Sequence, residues 1–279
     1  MSKFVVVAGS HGTCSHQVAQ DFGAPIVRAQ VNSFGDGEVA VELPKDSELL
    51  MGKTAVIVQQ FSFGKDFADH GNLISEQVFR FLLLVHQVKA YGAKNVVAVL
   101  PYLPYVRQVR SVCGTYVGPL EAFGKFVKSA GVDQVITCDV HEQLCHSLFP
   151  IPILEMTLAD FWKQQISHVL KNDDLQHLCF VSPDRGGIGR VKEMAYLCGA
   201  EWAFIEKKRT GHNISQAVAL VGNVRDKVVV MIDDILDTAM TATEACRMVV
   251  EHGAKKVLGC FAHAVLSPGA ISRVEKSGF

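Results

Sequence analysis

The stretch that decides the fold is VVVMIDDILDTAMTATEACRMVV, which runs from Val228 to Val250. Its first five residues are all apolar, and this pattern is typical of a parallel strand that is buried on both faces. After a polar turn, apolar residues return at helical spacing, and Gly253 follows where a helix would end. The stretch therefore predicts a strand, a turn and a helix, the unit from which α/β proteins are built.

The turn between this strand and helix carries the chemistry. Asp233, Asp234 and Asp237 would lie at the carboxyl end of the strand, where open α/β sheets bind ligands. Their carboxylates suit two adjacent sugar hydroxyls or a magnesium ion, and the turn from Thr238 to Thr241 can offer hydroxyls and backbone N–H groups to a phosphate. The alternative is that these residues only cap the helix. We favour a sugar-phosphate site, because a cap needs one such residue and this turn has five.

Composition limits the classes of protein that remain. The chain has 279 residues, of which 49% are hydrophobic and 20% charged, enough for two cores of ordinary domain size. Its formal charge of -1 supports neither a nucleic-acid surface nor a polybasic membrane patch. The eight cysteines form no CxxC pair, and several fall in apolar runs, so we expect reduced core residues in a cytoplasmic protein. The N-terminal apolar run is too short for a signal peptide.

Apolar strand-like runs alternate with helical patterns along the chain. The runs are 4–8, 54–59, 95–100, 134–140, 177–182, 227–232 and 256–262. Such alternation predicts βαβ units and a mainly parallel sheet. The sequence AYGAKNVVAV at 90–99 also resembles EHGAKKVLGC at 251–260, which indicates a duplicated α/β unit with a boundary near Phe149–Pro150. A chance match between two helix ends is the alternative.

Two further segments of the second half follow strand-like runs. VSPDRGGIGRVKEMA, 181–195, places Asp184 at a strand end and has glycines that allow close backbone approach to a ligand. The alternative is a turn that serves only tight packing. IEKKRTGHN, 205–213, places Lys207 and Arg209 on a loop that could fold over transferring phosphates, although a basic triplet is more often a solvated surface.

Three segments of the first half carry weaker signals. LPYLPYVRQVRS offers Arg107 and Gln108 to phosphate oxygens. CDVHEQLCH lacks the HExxH spacing of metalloproteases, but Asp139 and His141 at a strand end suit a magnesium-nucleotide site. NSFGDGEVAVELP, from position 32, predicts a tight turn before an alternating strand. The alternatives are a surface loop, a helix cap and an ordinary hairpin.

Together these segments resemble a known family. Their motifs are, in chain order, FGDGE, PYxPYxRQxR, DVHxQ, VSPDxGGxxR, EKKR and DDILDTAxT. They closely resemble those of the ribose-phosphate diphosphokinases, also called phosphoribosyl pyrophosphate synthetases, over nearly the whole chain. The resemblance implies two phosphoribosyltransferase-type α/β domains, each with a mainly parallel sheet flanked by helices, and an active site between them. It also implies transfer of the diphosphoryl group of MgATP to the C1 hydroxyl of ribose 5-phosphate, which yields phosphoribosyl diphosphate and AMP.

The resemblance also assigns roles to residues. The ribose 5-phosphate site would comprise Asp184, Asp233, Asp234, Asp237, Thr238, Ala239, Met240 and Thr241. The nucleotide site would comprise Phe34, Asp36, Glu38, Arg107 and Gln108, and the first three would reach the adenine from a neighbouring subunit. The catalytic cations on a mobile loop would be Lys207 and Arg209. The residues that bind Mg²⁺ would be Asp139, His141 and Asp184.

The implied protein is a cytoplasmic homo-oligomer of dimers that assemble into hexamers. Its domains would be 1–149 for the nucleotide and 150–279 for ribose 5-phosphate. The family continues after Phe279 for about one more strand-helix unit, which would leave the second domain short. The family's phosphate loop normally reads DTxGT, with Gly where this chain has Met240. Met240 favours one rival function, a catalytically silent subunit that regulates active synthetases; a second rival, a phosphoribosyltransferase, is disfavoured by the RQ and DVH motifs.

Overall fold

The computed structural model describes residues 2–9, 13–61, 74–107, 109, 118–208 and 217–279. The chain forms two compact units, and the division falls after Met156. The sequence predicts the division near Phe149, but the strand Ile153–Met156 pairs with the first sheet and so extends the first unit. The functional roles expected for the two domains stay predictions.

The first unit is built on a six-stranded parallel sheet. The unit has eight described strands, and six of them form this sheet. They are β1 (Phe4–Ala8), β2 (Ile26–Arg28), β3 (Gln30–Ser33), β4 (Val39–Glu42), β5 (Thr54–Val58), β6 (Asn95–Val99), β7 (Gln134–Cys138) and β8 (Ile153–Met156). The sheet has the order β2-β1-β5-β6-β7-β8, and every neighbouring pair is parallel. β3 and β4 form a separate antiparallel hairpin, as the tight turn in the sequence predicts.

Helices connect the strands of this sheet. They are α1 (Thr13–Asp21), the 3₁₀ helix Lys45–Leu50, α2 (Ile74–Ala90), α3 (Pro119–Ala130) and α4 (Cys145–Leu148). α3 shows why the sequence folds in this way. Pro119 opens it, Gly131 ends it in the left-handed conformation, and Leu120, Phe123 and Val127 lie on one buried face.

The second unit contains a five-stranded sheet. Its strands are β9 (Leu178–Ser182), β10 (Glu201–Lys208), β11 (Ala217–Val221), β12 (Val228–Leu236) and β13 (Lys256–Ala264). The order is β11-β10-β9-β12-β13. Only the β10–β11 pair is antiparallel in this sheet. The carboxyl ends of β9, β12 and β13 therefore lie at the same edge of the sheet.

Helices pack on both faces of this second sheet. They are α5 (Ala159–Val169), α6 (Asn172–Leu175), α7 (Ile188–Cys198), α8 (Met240–Glu251) and α9 (Ala270–Glu275). Val229 and Met231 of β12 belong to the apolar cluster that contains Ala245 of α8, whereas Val230 belongs to the cluster that contains Met194 of α7. Successive strand residues point to opposite faces, so a strand covered on both sides needs an uninterrupted apolar run.

All seven apolar runs are strands in the structure, namely β1, β5, β6, β7, β9, β12 and β13. β12 continues past the expected end at Ile232 to Leu236, because its last residues pair with β13. Among the strands of these two sheets, the seven apolar runs do not include β2, β8, β10 or β11. β2, β8 and β11 lie at sheet edges, where one side of the strand lacks a partner and the apolar signal is weaker.

One connection between a helix and the strand that follows it has the same hydrogen bond in both units. In the first unit Lys94 N–H donates to Lys53 O, and in the second Lys255 N–H donates to Lys227 O, both at 2.8 Å. In each case the helix returns the chain to a parallel strand beside the one that precedes it, β6 next to β5 and β13 next to β12. This agrees with the duplicated unit expected from the two GAK sequences.

The seven described cysteines are free thiols. Cys145, Cys179 and Cys246 are buried, but Cys14 is exposed, so the expectation of core positions fails for that residue. Cys113 lies outside the described residues. Among the described helices, none is long and apolar enough to cross a membrane.

Candidate active site

The turn between β12 and α8 has an unusual backbone. Ala239, the residue before α8, is buried and adopts the left-handed conformation, with φ of 63°. This conformation costs a non-glycine residue about 1 kcal/mol. Ala239 O accepts the Thr243 N–H at 2.9 Å, and Thr238 Oγ1 accepts the Met240 N–H at 3.4 Å. The first N–H groups of α8 therefore lie close to the acidic end of β12, and such groups can bind an anion.

The two acids at this end of β12 have different environments. Asp234 is 3% exposed, and its Oδ2 lies 3.3 Å from Nη2 of Arg190 on α7. Asp233 is more accessible, and its Oδ1 accepts the Asp234 N–H at 3.0 Å. Burial, a hydrogen bond with Asp234 and repulsion from Asp234 and Asp184 raise the pKa of Asp233 to about 8. Asp233 is thus the more accessible of the two acids, and Asp234 is held by Arg190.

Asp184 is held by the turn that follows β9. Its Oδ1 accepts N–H bonds from Gly186 at 2.7 Å and from Gly187 at 3.4 Å, and its carbonyl accepts the Ser182 hydroxyl at 2.7 Å. A Cβ atom on Gly187 would lie 2.4 Å from Ser182 Oγ. The glycines therefore permit tight packing, and the N–H groups of Gly186 and Gly187 also orient Asp184. A turn that serves packing and a turn that holds Asp184 for a ligand are thus compatible here.

The basic segment begins as a strand rather than a loop. Lys207 pairs with Val218 in the β10–β11 ladder, and the side chain of Lys207 and the whole of Arg209 lie outside the described residues. Arg185, which follows Asp184, donates to Glu206 Oε1 on β10. This ion pair joins the base of the basic segment to the Asp184 turn.

The residues predicted to bind the nucleotide lie in the first unit. In the β3–β4 hairpin Phe34 N–H donates to Glu38 O at 2.8 Å, and Glu38 N–H donates to Asp36 Oδ1 at 3.0 Å. The Asp36 carboxylate therefore shapes the turn, and Phe34 is left 62% exposed as a surface on which a base could stack. Arg107 is also exposed, and Gln108 lies outside the described residues.

Asp139 and His141 follow the end of β7. Asp139 has φ of 36°, and His141 is exposed. The turn is supported from β8 by Glu155, whose Oε1 accepts the Val140 N–H at 2.9 Å and whose Oε2 lies 2.8 Å from His146 Nε2. The structure thus holds Asp139 and His141 in a defined turn at a strand end, as the sequence predicts.

Comparison with known proteins decides the family. The model of the N-terminal domain of ribose phosphate pyrophosphokinase matches residues 4–120, and the phosphoribosyl transferase domain model matches residues 146–276. The chain belongs to the ribose-phosphate pyrophosphokinase family. The ribose-phosphate pyrophosphokinases of Bacillus cereus and Corynebacterium ammoniagenes are each 31% identical to it over 268 residues, which is 96% of this chain and 80% of each relative.

A solved structure of the family agrees with this assignment. The phosphoribosylpyrophosphate synthetase from Mycobacterium smegmatis is 25% identical and superposes with a TM-score of 0.85, covering 99% of this chain and 86% of that one. The expected fold class, two phosphoribosyltransferase-type domains with mainly parallel sheets, is therefore confirmed. The phosphoribosyltransferase alternative loses its support, because residues 4–120 match the N-terminal domain of ribose phosphate pyrophosphokinase.

Met240 departs from the DTxGT loop of the ribose-phosphate pyrophosphokinases. It is the first residue of α8 and has no positive φ, because the left-handed conformation falls on Ala239 instead. The backbone therefore does not require glycine at position 240. The side chain of Met240 is 54% exposed beside the N-terminus of the helix, where it can contact a bound phosphate.

The predicted metal ligands come from both units, with Asp139 and His141 in the first and Asp184 in the second. Within the described part of the chain, no three His, Cys, Asp or Glu side chains form a group that could hold a metal ion. Mg²⁺ usually binds through one or two carboxylates together with substrate phosphates and water. The acidic chemistry of Asp184 and Asp233 fits such a site, and the three-residue set stays a prediction.

Sequence reasoning missed several side chains that organise the site. They are Ser182, Arg190, Glu206, Ser267 and Arg273. Arg190 had a signal, because it is the last residue of the VSPDxGGxxR motif. Arg273 had none, since its contact with Thr238 joins positions that are 35 residues apart in the chain.

Proposed function

We propose that this protein is a ribose-phosphate diphosphokinase that acts on MgATP and ribose 5-phosphate. The C1 hydroxyl oxygen of the sugar attacks the β-phosphorus of ATP and forms a new P–O bond. The bond from that phosphorus to the oxygen bridging the α- and β-phosphates breaks, the hydroxyl proton is released, and AMP leaves. The products are phosphoribosyl diphosphate and AMP.

The observation that carries the proposal is the arrangement at the end of β12. A carboxyl of raised pKa, Asp233, stands beside a turn whose next helix begins at Met240 with N–H groups that no intrahelical carbonyl can bind. Asp233 can accept hydrogen bonds from adjacent ribose hydroxyls, and the helix N-terminus with Thr238 and Thr241 can bind the 5-phosphate. Acceptors for the sugar and donors for its phosphate would then belong to one turn.

The rest of the chain would position the second substrate. Phe34 can stack on the adenine, and Arg107 and Gln108 can bind the phosphates. Lys207 and Arg209 would neutralise the charge that develops on the transferred group. Asp139, His141 and Asp184 would hold Mg²⁺, which would supply further charge neutralisation. Catalysis is then mainly positioning, because phosphoryl transfer demands in-line geometry more than covalent help from the protein.

We further propose that the enzyme is a cytoplasmic homo-oligomer. The free thiols of the seven described cysteines suit a reducing compartment. The exposed Phe34 hairpin suits a contribution to the site of a neighbouring subunit, since a loop at the surface can reach a partner. Sedimentation of the purified protein with and without MgATP would test the assembly.

The test of the activity is product formation. Purified protein, MgATP and ribose 5-phosphate should give AMP and phosphoribosyl diphosphate in equal amounts, followed by ³¹P NMR and chromatography. A parallel reaction with ribose in place of ribose 5-phosphate should give no more than background, because the phosphate turn would be unused. Absence of AMP with ribose 5-phosphate would reject the proposal.

Met240 supports a second candidate, a catalytically silent subunit of an active synthetase. In that case its exposed side chain would weaken the phosphate turn, and the wild-type protein would make no AMP. Met240→Gly removes the side chain at a residue whose backbone is ordinary and should then raise affinity for ribose 5-phosphate several-fold. Met240→Leu, of similar size, is the control. Gain of turnover only in Met240→Gly would favour the silent subunit.

A further inference from the structure

Backbone carbonyls at the turn after β12 accept hydrogen bonds from the segment that follows β13. Leu266 N–H donates to Leu236 O at 3.0 Å, and Ser267 N–H donates to Asp237 O at 3.1 Å. The Ser267 hydroxyl also donates to the Asp237 carboxylate. Two successive carbonyls of the turn are therefore fixed by a segment about 30 positions later in the chain.

Arg273 fixes the third carbonyl of this series. Its Nη1 donates to Thr238 O at 2.8 Å from helix α9. The guanidinium lies against Gly269, where a Cβ atom would stand 3.3 Å from Nη2 and where φ is 85°. Glycine at this position therefore provides both the backbone conformation and the space that the arginine needs.

The bond from Arg273 acts on the peptide that begins the phosphate turn. Thr238 O belongs to the peptide whose N–H is that of Ala239, the residue in the left-handed conformation. A charged donor on the carbonyl holds this strained peptide in one orientation and polarises it, so that its N–H becomes a stronger donor on the opposite side.

The charge of Arg273 also matters, because the turn is acidic. Between Val228 and Cys246 the sequence has the acids Asp233, Asp234, Asp237 and Glu244 but no Lys or Arg. Because Arg190 already pairs with Asp234, a dianionic phosphate beside Asp237 needs positive charge from elsewhere in the fold. A guanidinium has five N–H donors, and the bond to Thr238 O uses one of them.

We propose that Arg273 is a positioning residue for the 5-phosphate of the sugar substrate: it fixes the Thr238–Ala239 peptide and places a positive charge behind the phosphate turn. This proposal rests on the proposed function, since it concerns the same ribose 5-phosphate site. It extends that site to the region after β13, which the sequence motifs do not include.

The test compares Arg273→Ala and Arg273→Lys with Arg247→Ala. Arg247 is an exposed arginine of α8, so its variant controls for the loss of one positive charge from the same unit. Binding of ribose 5-phosphate is measured by calorimetry without ATP, and the KM values for ribose 5-phosphate and ATP are measured separately. Thermal unfolding of each unliganded variant reports whether the fold is kept.

We expect Arg273→Ala to weaken ribose 5-phosphate binding by about 10- to 100-fold, the range for a hydrogen bond to a charged group. The KM for ATP should stay within about 2-fold of wild type, because the nucleotide residues lie in the other unit. Arg273→Lys should fall between wild type and Arg273→Ala, since it keeps the charge but not the planar fork.

Equal affinities for ribose 5-phosphate in Arg273→Ala and Arg247→Ala would overturn the proposal, as would equal losses for ATP and the sugar. If Arg273→Ala does not fold, Arg273→Lys decides, because wild-type affinity in that variant would reject the role. Failure of the wild-type protein to bind ribose 5-phosphate at all would instead reject the proposed function.

Discussion

Nη2 of Arg190 lies 3.3 Å from Oδ2 of Asp234, and the Asp234 side chain is 5% exposed. The pair joins the start of α7 to the end of β12. α7 follows the Asp184 turn, and β12 precedes the phosphate turn. A carboxylate buried to this extent needs a charged partner, because removal from water penalises its ionised form. Arg190 thus fixes Asp234, while Asp233 stays the more accessible acid.

Replacement of Arg190 by Met keeps much of the side-chain volume but leaves Asp234 buried without this cation. We expect the free energy of unfolding in urea to fall by about 3 kcal/mol at neutral pH. Arg185→Met is the matched control, since Arg185 pairs with Glu206 but is 71% exposed, and it should cost less than about 1 kcal/mol. Similar losses in the two variants would contradict the importance of burial at Asp234.

Asp233 should make the stability of the protein depend on pH. Its pKa rises from the ordinary value of 3.8 to about 8, chiefly through burial and then through Asp234 and Asp184. The folded state therefore holds this proton more tightly than the unfolded state. The resulting stabilisation is fully present below pH of about 4 and is lost as pH rises through about 8.

Asp233→Asn removes this titration while keeping the shape of the side chain. Relative to wild type, the variant should become more stable as pH rises from about 5 to about 8.5, by at least about 1 kcal/mol, measured by urea unfolding at each pH. Asp173→Asn, a change at an exposed aspartate of α6, serves as the control and should show no such trend. A constant difference between Asp233→Asn and wild type would reject the raised pKa.

The sequence predicts the centre of the fold better than its edges. β12 was predictable because both of its faces are buried, which leaves an apolar run without interruption. β8 was not, because its residues alternate between half-buried and exposed at the sheet edge and follow two prolines. The compact units divide after Met156 rather than near Phe149, because β8 pairs with the sheet of the first unit.

The site shows a similar limit. Asp233 and Asp184 were predictable because each comes at the end of an apolar run in the sequence, and the carboxyl ends of parallel strands lie together. Arg273 was not, because its contact with Thr238 depends on how β13 and the segment after it return along the turn. The sequence also does not reveal that the left-handed conformation of the phosphate turn falls on Ala239 rather than on Met240.

Lys207 is predicted to act on the transferring phosphates. Lys207→Ala should retain ATP binding but lower turnover by about 10³-fold, by analogy with the loss of an arginine finger. Lys256→Ala removes an exposed lysine of β13 and should leave turnover near wild type. Turnover is measured by AMP release, and ATP binding by calorimetry. Unchanged turnover in Lys207→Ala would reject its catalytic role.

Gly187 and Gly189 provide a test of the Asp184 turn, because they lie two residues apart but differ in the space around them. A Cβ atom on Gly187 would stand 2.4 Å from Ser182 Oγ, the hydroxyl that donates to Asp184 O. A Cβ atom on Gly189, inside α7, would meet nothing within 4 Å. Only the first substitution should therefore move Asp184.

We expect Gly187→Ala to lower the free energy of unfolding by about 1 to 3 kcal/mol through overpacking and to weaken ribose 5-phosphate binding. Gly189→Ala should be neutral or stabilising by up to about 1 kcal/mol, since alanine is favoured over glycine within a helix. Urea unfolding and calorimetric titration with ribose 5-phosphate measure the two effects. Gly187→Ala should displace Asp184 through Ser182, so unchanged binding of ribose 5-phosphate in this variant would show that the ligand does not depend on Asp184. Asp184 would then not belong to the binding site.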